Sequence, residues 1–471
     1  MLFASTDYVV FLTLVFALFW LLADAGRLRV LMLLLASWLF YMGWNASFVL
    51  LIIASTVIDY WCGGAIAAAK TQRGRKTWLI VSLVTNLGLL GVFKYLDFFI
   101  TNVAAALSLV GLNVPVEPLG IILPVGVSFY TFQSLSYTLD IYRGTLQPIR
   151  SFPRFALFVA FFPQLVAGPI VRASEFLPQL DNRPSLTVQR ASSALWLMLK
   201  GLIKKVCIAD FLAVNLIDRI FEAPGRFGAA EVLLAVYAYT WQIYGDFSGY
   251  TDIARGSAKL LGFELPENFN RPFIAHNLVE FWRRWHMTLT RWITDYLYVS
   301  LGGSRLGGVR TYVNIAITWL AIGLWHGASW NFVFFGAWHA LGIMLYRLWR
   351  SHHPDAGPAT GWKFILGVVG TFHFHVFNWP LFRASTFQGA LDIYREILFG
   401  DWGIWRIDPI VTWVVIGCFV VHFTPIRWLE EVRVRFVAAP VLVQATVASV
   451  AGVVIAKVAA SQPVPFIYFQ F

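Results

Sequence analysis

Long runs of apolar residues follow one another along most of this 471-residue chain, with short polar stretches between them. A membrane crossing takes about 20 helical residues, so such runs predict an all-α, polytopic membrane protein. Because several runs are shorter than that, we expect about eleven to thirteen transmembrane helices, some of them re-entrant. The runs lie at residues 8–23, 30–45, 48–69, 78–94, 96–112, 152–170, 192–213, 229–247, 312–326, 330–349, 362–381, 409–424 and 440–460.

Basic residues mark alternate loops between the first predicted helices. Arg27 and Arg29 follow the first run, and four Lys or Arg side chains lie in residues 70–76, after the third. The turn after the second run, Gly43–Ser47, carries no charge. Because cytoplasmic loops are enriched in Lys and Arg, this alternation predicts that the N-terminus lies outside the cytoplasm.

Two stretches, residues 113–143 and 241–310, interrupt the apolar pattern with prolines, polar groups and charges. Irregular polar backbone persists at membrane depth only where it is buried in protein or lines a wet cavity. We therefore expect each stretch to be either cytoplasmic surface or the lining of a site. Since no internal repeat or long linker is visible, residues 1–471 are predicted to form a single membrane domain.

The composition supports a membrane protein, because 58% of the residues are hydrophobic and only 13% are charged. Soluble domains have roughly 25% charged residues. The net charge of +11 is explained by basic cytoplasmic loops, so no nucleic-acid partner is expected. The cysteines, Cys62, Cys207 and Cys418, lie far apart and predict neither a disulfide framework nor a metal site. The first apolar run lacks a basic flank and a cleavage site, so we interpret it as a retained span.

The densest group of polar and aromatic residues is the segment Glu280–Tyr298. At 100° per residue it predicts one amphipathic helix with His286 at the edge of its apolar face. This helix is interpreted either as an anchor at the membrane interface or as an arginine-lined wall for an anionic donor. The predicted apolar face holds Trp282, Trp285, Leu289, Trp292, Ile293 and Tyr296, and the polar face holds Arg284, Thr288, Arg291 and Asp295.

His326 lies in the segment Leu324–Asn331, which joins two strongly apolar runs. An ionisable side chain in such a position is costly unless it has a partner or a task. Imidazole exchanges a proton near neutral pH, which suits a general base; the alternative is a buried histidine bonded to a nearby carbonyl group. His339 is interpreted as structural, and the spacing of His373 and His375 does not favour a metal site.

A third polar group closes a long apolar run at Tyr244–Arg255. Its carboxylates, Asp246 and Asp252, are too far apart in sequence to predict an acid and base pair. They are candidates to orient a histidine, pair with arginine or cap a helix, and a structural polar network is the alternative reading.

The order of these segments resembles the membrane-bound O-acyltransferase family, in particular its bacterial alginate O-acetyltransferase branch. The block Phe281–His286, followed about forty residues later by Trp325–Gly327, carries most of the resemblance, which covers most of residues 1–400. The other matching segments are Gly126–Arg143, Phe162–Ile170, Tyr244–Ala254, Leu261–Phe269, Leu301–Arg305 and Asn378–Ala384.

The resemblance implies a ring of tilted helices around a thin centre, with funnels opening from both faces. It assigns the family's catalytic histidine to His326 and a second motif histidine to His286. It also implies a catalytic core at about residues 80–385, with accessory helices at 386–471. No bound cofactor and no metal ion are expected.

The activity implied by the resemblance is transfer of an acetyl group from cytosolic acetyl-CoA to hydroxyls of an exported or envelope polysaccharide. His326 would take the proton of the attacking hydroxyl, and the thiolate would leave without a covalent enzyme intermediate. The expected location is the bacterial cytoplasmic (inner) membrane, with a periplasmic acetyltransferase as partner. Candidate substrate contacts are Arg283, Arg284, Arg291, Asp246, Tyr244 and Asn331, although the family pattern does not assign the arginines to donor phosphates.

Three alternatives stay open at this point. One is D-alanyl transfer to teichoic acid from a carrier-protein thioester, which the longer chain and the Phe382–Ala384 segment argue against. Another is a transporter, since interrupted helices and embedded polar residues also occur there, although no matched broken helices are visible in two halves. The third, a structural membrane scaffold, would not need an embedded histidine at position 326.

Overall fold

The computed structural model describes residues 1–355, 357, 359–459 and 465–467, and all regular secondary structure in this part of the chain is helical. At least one helix ends inside the protein, since α15 ends at the buried His326. The helices are α1 (Thr6–Leu21), α2 (Gly26–Met42), α3 (Val49–Ala68), α4 (Gln72–Leu90), α5 (Leu96–Leu109), α6 (Val127–Arg143), α7 (Phe152–Ala160), α8 (Phe162–Leu165), α9 (Ala173–Phe176), α10 (Val188–Leu202), α11 (Asp218–Glu222), α12 (Ala229–Leu260), α13 (Leu278–Trp282), α14 (Met287–Ile293), α15 (Gly308–His326), α16 (Trp330–His352), α17 (Gly361–Val376), α18 (Trp379–Arg383), α19 (Phe387–Phe399), α20 (Pro409–Phe423), α21 (Ile426–Ala438) and α22 (Val441–Val458).

Five helical stretches among the described residues are long and apolar enough to cross a membrane. A sixth is reached if α20 and α21, which meet at a bend of 92°, count as one span. The all-α membrane architecture is thus confirmed, whereas the count of eleven to thirteen crossings stays a prediction. The five stretches are Ala46–Ala68, Gln72–Leu109, Trp330–His352, Gly361–Arg383 and Val441–Val458.

Three predicted elements differ from the structure. The runs 78–94 and 96–112 are not two helices but one, because a π-helical turn at Gly91–Tyr95 continues α4 into α5. The run 152–170 is not a crossing, since α7 ends at Ala160 and only the one-turn helix α8 follows. The amphipathic helix predicted over 280–298 is broken between α13 and α14. Apolar periodicity locates buried faces, but it does not reveal where tertiary contacts bend the backbone.

The centre of the molecule consists of α6, most of whose residues are buried, and the broken segment 155–171, which is buried throughout. The α6 helix carries polar side chains on several sides, which are costly to bury without partners. Asp59 of α3, 0% exposed, accepts hydrogen bonds from Ser82 (2.6 Å), Asn86 (2.8 Å) and Ser134. This shared carboxyl group ties α3, α4 and α6 together, and it shows how polar residues persist in the middle of a membrane protein.

Glycines allow α10 and α12 to pack backbone to backbone. A Cβ atom added at Gly249 of α12 would lie 2.7 Å from the carbonyl oxygen of Gly201, and one at Gly201 would lie 2.6 Å from that of Gly249. Gly256 approaches the carbonyl oxygen of Ala194 in the same way. Small residues of this kind are typical of helix interfaces in membranes, where association depends on close packing.

The C-terminal helices pack against this pair. Gln444 of α22 is hydrogen-bonded to Ser192 of α10 at 2.8 Å, and the buried Phe466 packs on Phe247 and Tyr250 of α12. The boundary between a core and accessory helices near residue 385 stays a prediction.

Candidate active site

His326 is the last residue of α15 and is only 4% exposed. Its neighbour Gly327 is extended, and a Cβ atom there would overlap the ring of Phe332. The Trp325–His326 pair lines a cavity of about 230 Å³. The other lining residues are Trp44, Lys94, Ile122, Leu123, Pro124, Val125, Gly126, Val127, Ser128, Phe129 and Val166.

The lining residues indicate the side from which this cavity is reached. Trp44 belongs to the uncharged turn after α2, and residues 122–126 lead into the N-terminal end of α6. The opposite end of α6 lies beside the basic N-terminal end of α4, since Arg75 donates to the carbonyl oxygens of Ile141 (3.2 Å) and Tyr142 (2.7 Å). If the basic residues 70–76 lie on the cytoplasmic side, as predicted, the cavity lies toward the other face. Within the stretch 113–143, residues 122–129 line this cavity, and the expectation that the stretch lines a site stays a prediction.

His286 lies in the break between α13 and α14, with a left-handed backbone at φ 43°. Such a conformation costs free energy in residues other than glycine and is found at functional sites more often than elsewhere. The side-chain oxygen of Asn268 fixes this turn by accepting from His286 Nδ1 (3.2 Å), Thr288 N (3.2 Å) and Thr288 Oγ1 (3.0 Å). The strain is therefore supported by a dedicated buried acceptor.

Aromatic rings enclose the His286 imidazole, which is 1% exposed and is not among the residues that line the cavity. Its ring centroid lies 4.7 Å from that of Phe247, 6.3 Å from that of Phe129 and 6.0 Å from that of Trp325. Within the described residues its buried Nε2 atom has no hydrogen-bond partner. The Trp325 ring is also 5.0 Å from the His326 ring, so one indole contacts both histidines predicted for the site.

The predicted arginines do not meet at this cavity. Arg284 pairs with Glu280 at 2.8 Å, and Arg291 pairs with Glu175 at 2.6 Å. Arg283 is exposed. The apolar face predicted for this segment is nevertheless buried, since Trp282, Trp285, Leu289, Trp292, Ile293 and Tyr296 are all in the core. Donor binding by the arginines stays a prediction.

The other three candidates have partners in the protein. Asp246 pairs with Lys205 at 2.8 Å and accepts from the backbone amide of Ile467 at 2.7 Å. The ring of Tyr244 lies 5.5 Å from the Lys204 ammonium, and Asn331 donates to the carbonyl oxygen of Ala384 at 2.8 Å. None of the three is among the residues that line the cavity of His326, and substrate contact by them stays a prediction.

A second pair of buried histidines lies on the far side of Phe335. His339 Nε2 and His375 Nδ1 are 3.4 Å apart, and His339 Nδ1 donates to the Phe335 carbonyl oxygen at 2.9 Å. His373 points elsewhere and pairs with the Tyr237 hydroxyl at 2.6 Å. In the described part of the chain no group of three or more metal-ligating side chains is found.

Two residues of this region, Lys94 and Asn268, were not predicted from the sequence to belong to a site. Lys94 is a charged residue inside the apolar run 78–94, and that position alone was a usable signal. Asn268 lies in the matching segment Leu261–Phe269, but nothing in the sequence pairs it with His286, and only the fold brings the two together.

Known proteins with similar sequences identify the family of this chain. Residues 148–380 match the sequence profile of the MBOAT, or membrane-bound O-acyltransferase, family. The chain is 40% identical to a probable alginate O-acetylase, AlgI, of Azotobacter vinelandii over 412 residues, 85% of this chain and 79% of the relative. It is 36% identical to a peptidoglycan O-acetyltransferase of Helicobacter pylori over 394 residues, 78% of this chain and 73% of the relative.

A more distant relative is a teichoic acid D-alanyltransferase of Bacillus subtilis, 27% identical over 277 residues, 56% of this chain and 69% of the relative. All three relatives are named as transferases of an acyl group, which sets aside the transporter and scaffold alternatives. With its apolar helices and its cavity at His326, the chain belongs to the membrane-bound O-acyltransferase family and is a multi-pass membrane O-acyltransferase.

Proposed function

We propose that this protein transfers an acetyl group from cytosolic acetyl-CoA to hydroxyl groups of an exported or envelope polysaccharide, with His326 as the general base. The observation that carries the proposal is the position of His326, a buried imidazole at the end of a helix and in the wall of a cavity. A general base must reach the proton that it removes, and among the described residues His326 is the only histidine that lines this cavity.

The chemical step needs one proton acceptor and one good leaving group. The acceptor hydroxyl attacks the thioester carbonyl carbon while His326 takes the hydroxyl proton, and the carbonyl electron pair moves to oxygen. The intermediate then collapses, the carbon–sulfur bond breaks, and the thiolate leaves and is protonated by the imidazolium. Since a thiolate leaves readily, no covalent acyl-enzyme is required.

The polysaccharide class of the acceptor is supported by the relatives, two of which are named for alginate and peptidoglycan. The cavity supports it too, because its lining at Trp44 and residues 122–126 lies toward the predicted non-cytoplasmic face, where an exported polymer is found. We further propose that the protein acts in the bacterial cytoplasmic membrane, with a periplasmic acetyltransferase as the partner that completes polymer modification.

The proposal is tested with purified protein, acetyl-CoA and a hydroxyl acceptor, comparing wild type with His326→Gln. Glutamine keeps hydrogen bonding but cannot take the proton, so acetyl transfer should fall by about 10²–10⁴-fold. His352→Ala is the matched control, because His352 is exposed at the end of α16 and should leave the rate unchanged. Normal transfer by a well-folded His326→Gln protein would rule out the general-base role.

The choice of donor is tested separately with the same wild-type preparation. Acetyl-CoA is offered beside a D-alanyl thioester of a small carrier protein. Use of acetyl-CoA alone supports the acetyl-transfer proposal, and use of the carrier thioester alone overturns it in favour of D-alanyl transfer.

A further inference from the structure

The long helix over Gln72–Leu109 carries a lysine, Lys94, at the π-helical turn Gly91–Tyr95. Turns of this kind are rare and occur frequently at functional sites. A lysine within a membrane-spanning helix is also costly and faces a partner or a cavity when it is retained. Lys94 has both a partner and a cavity, since it bonds to the end of α15 and lines the cavity of His326.

Two neighbouring side chains of this turn hold the last carbonyl groups of α15. The Lys94 ammonium donates to the carbonyl oxygens of Trp325 (2.5 Å) and His326 (3.1 Å). The Tyr95 hydroxyl donates to the carbonyl oxygen of Leu324 at 2.9 Å. The last four carbonyl groups of a helix lack partners within the helix and carry partial negative charge, so a cation there is stabilised.

These contacts leave part of the ammonium available to the cavity. A lysine ammonium has three N–H donors, and within the described residues two of them have acceptors, both at the end of α15. Because Lys94 lines the same cavity as His326, its third donor is left for a group bound in that cavity. The two carbonyl bonds fix the nitrogen atom, which a free lysine side chain would not achieve.

We propose that Lys94 is a second catalytic residue, whose third N–H donates a hydrogen bond to the oxyanion that forms on the thioester carbonyl. This inference rests on the proposed acyl transfer. As the acceptor hydroxyl bonds to the carbonyl carbon, the carbonyl oxygen gains the electron pair, while the hydroxyl proton goes to His326. Lys94 transfers no proton; it stabilises the charge until the carbon–sulfur bond breaks and the carbonyl is restored.

Preorganisation is the physical reason for assigning this task to Lys94. Donors that are already fixed stabilise developing charge without having to reorganise during the reaction. The Lys94 ammonium bonds to the backbone oxygens of Trp325 and His326. Because His326 is also the proposed base, these bonds fix the distance between the donor and the base. A single interaction of this kind contributes about 10²–10³-fold to kcat in other acyl-transfer enzymes.

The test compares Lys94→Met with Tyr95→Phe in the purified full-length protein, using acetyl-CoA and a saturating hydroxyl acceptor. Tyr95→Phe removes one bond to the end of α15 but leaves the ammonium in place, so it measures the effect of loosening the helix end. We expect Lys94→Met to lower kcat by about 10²–10³-fold with little change in either KM. Tyr95→Phe should lower kcat by less than about tenfold.

Chemical rescue separates the ammonium from the fold. Lys94→Cys is purified and treated with 2-bromoethylamine, which adds an aminoethyl group to the thiol and restores a side chain of nearly lysine length. Treated wild type is the control for the natural cysteines. Recovery of kcat by at least tenfold supports the proposal, because the same folded preparation is compared before and after treatment.

Three outcomes would overturn the inference. Equal losses in Lys94→Met and Tyr95→Phe, with no rescue, would mean that Lys94 only fixes the end of α15. A rise in acceptor KM at constant kcat would mean that the ammonium binds substrate rather than the oxyanion. An unchanged kcat in Lys94→Met would exclude any catalytic part. If wild type transfers acetyl groups and His326→Gln does not, these outcomes concern Lys94 alone and leave the proposed function intact.

Discussion

The surroundings of His326 and His286 differ although both histidines are buried and both contact Trp325. His326 ends a regular helix and is one of the residues that line a cavity. His286 occupies a strained turn between two short helices and is enclosed by aromatic rings. Burial alone therefore does not identify a base. Its place in the cavity wall favours His326 as the residue that transfers the proton. The enclosed ring of His286 favours a positioning role, in which it packs against Trp325 and fixes the orientation of that indole.

The largest effect should separate the two histidines in one assay. We expect His326→Gln to lower kcat by about 10²–10⁴-fold and His286→Gln to lower it by clearly less. The reason is that, of the two histidines, only His326 lines the cavity where substrates would meet. Parallel acetyl-transfer rates of the two purified variants give the comparison. A greater loss in His286→Gln would reverse the assignment.

Close packing around the end of α15 should give the next largest effect. A Cβ atom at Gly323 would overlap the carbonyl oxygen of Phe332 in α16, so Gly323→Ala should destabilise the protein by about 1–3 kcal/mol. Gly370→Ala in α17 is the matched control, because nothing lies within 4 Å of a Cβ atom there. Thermal unfolding in detergent measures both. Equal stability of the two variants would contradict the packing.

The strained turn at His286 should respond to the shape of its replacement. His286→Val should be about 1–2 kcal/mol less stable than His286→Asn, since a β-branched residue disfavours left-handed backbone whereas asparagine tolerates it. Thermal unfolding of the pair in the same detergent tests this. If valine and asparagine give equal stability, the backbone strain is not a property of the folded protein.

The smallest effect on stability is expected at the protein surface, on the predicted polar face of the segment Glu280–Tyr298. Arg291 pairs with Glu175, but its side chain is 58% exposed, so Arg291→Ala should change stability by less than about 0.5 kcal/mol. The KM of Arg291→Ala for the acetyl donor should equal that of the wild type. A several-fold rise in the donor KM, with kcat unchanged, would show instead that Arg291 binds the donor. That result would support the interpretation of this segment as an arginine-lined wall for an anionic donor.

Particular residues show how far the sequence could be interpreted. The burial of Trp282, Trp285, Trp292 and Tyr296 followed from their periodicity, and the embedded position of His326 followed from the apolar runs on both sides. The break at His286 did not, because the local pattern of residues 280–298 is that of a continuous helix. Asn268 stabilises the break, because its side-chain oxygen accepts three hydrogen bonds from residues 18 and 20 positions away.

The sequence by itself determined the membrane character, the helical class and the embedded histidine, since these depend on local hydrophobicity and on the cost of burying a charge. Only the tertiary structure decided which polar groups meet. Lys94 and the end of α15 are 231 and 232 residues apart along the chain, yet their atoms lie within hydrogen-bond distance. Local pattern carries no information about such contacts, because they arise from how whole helices pack rather than from the periodicity of any one of them.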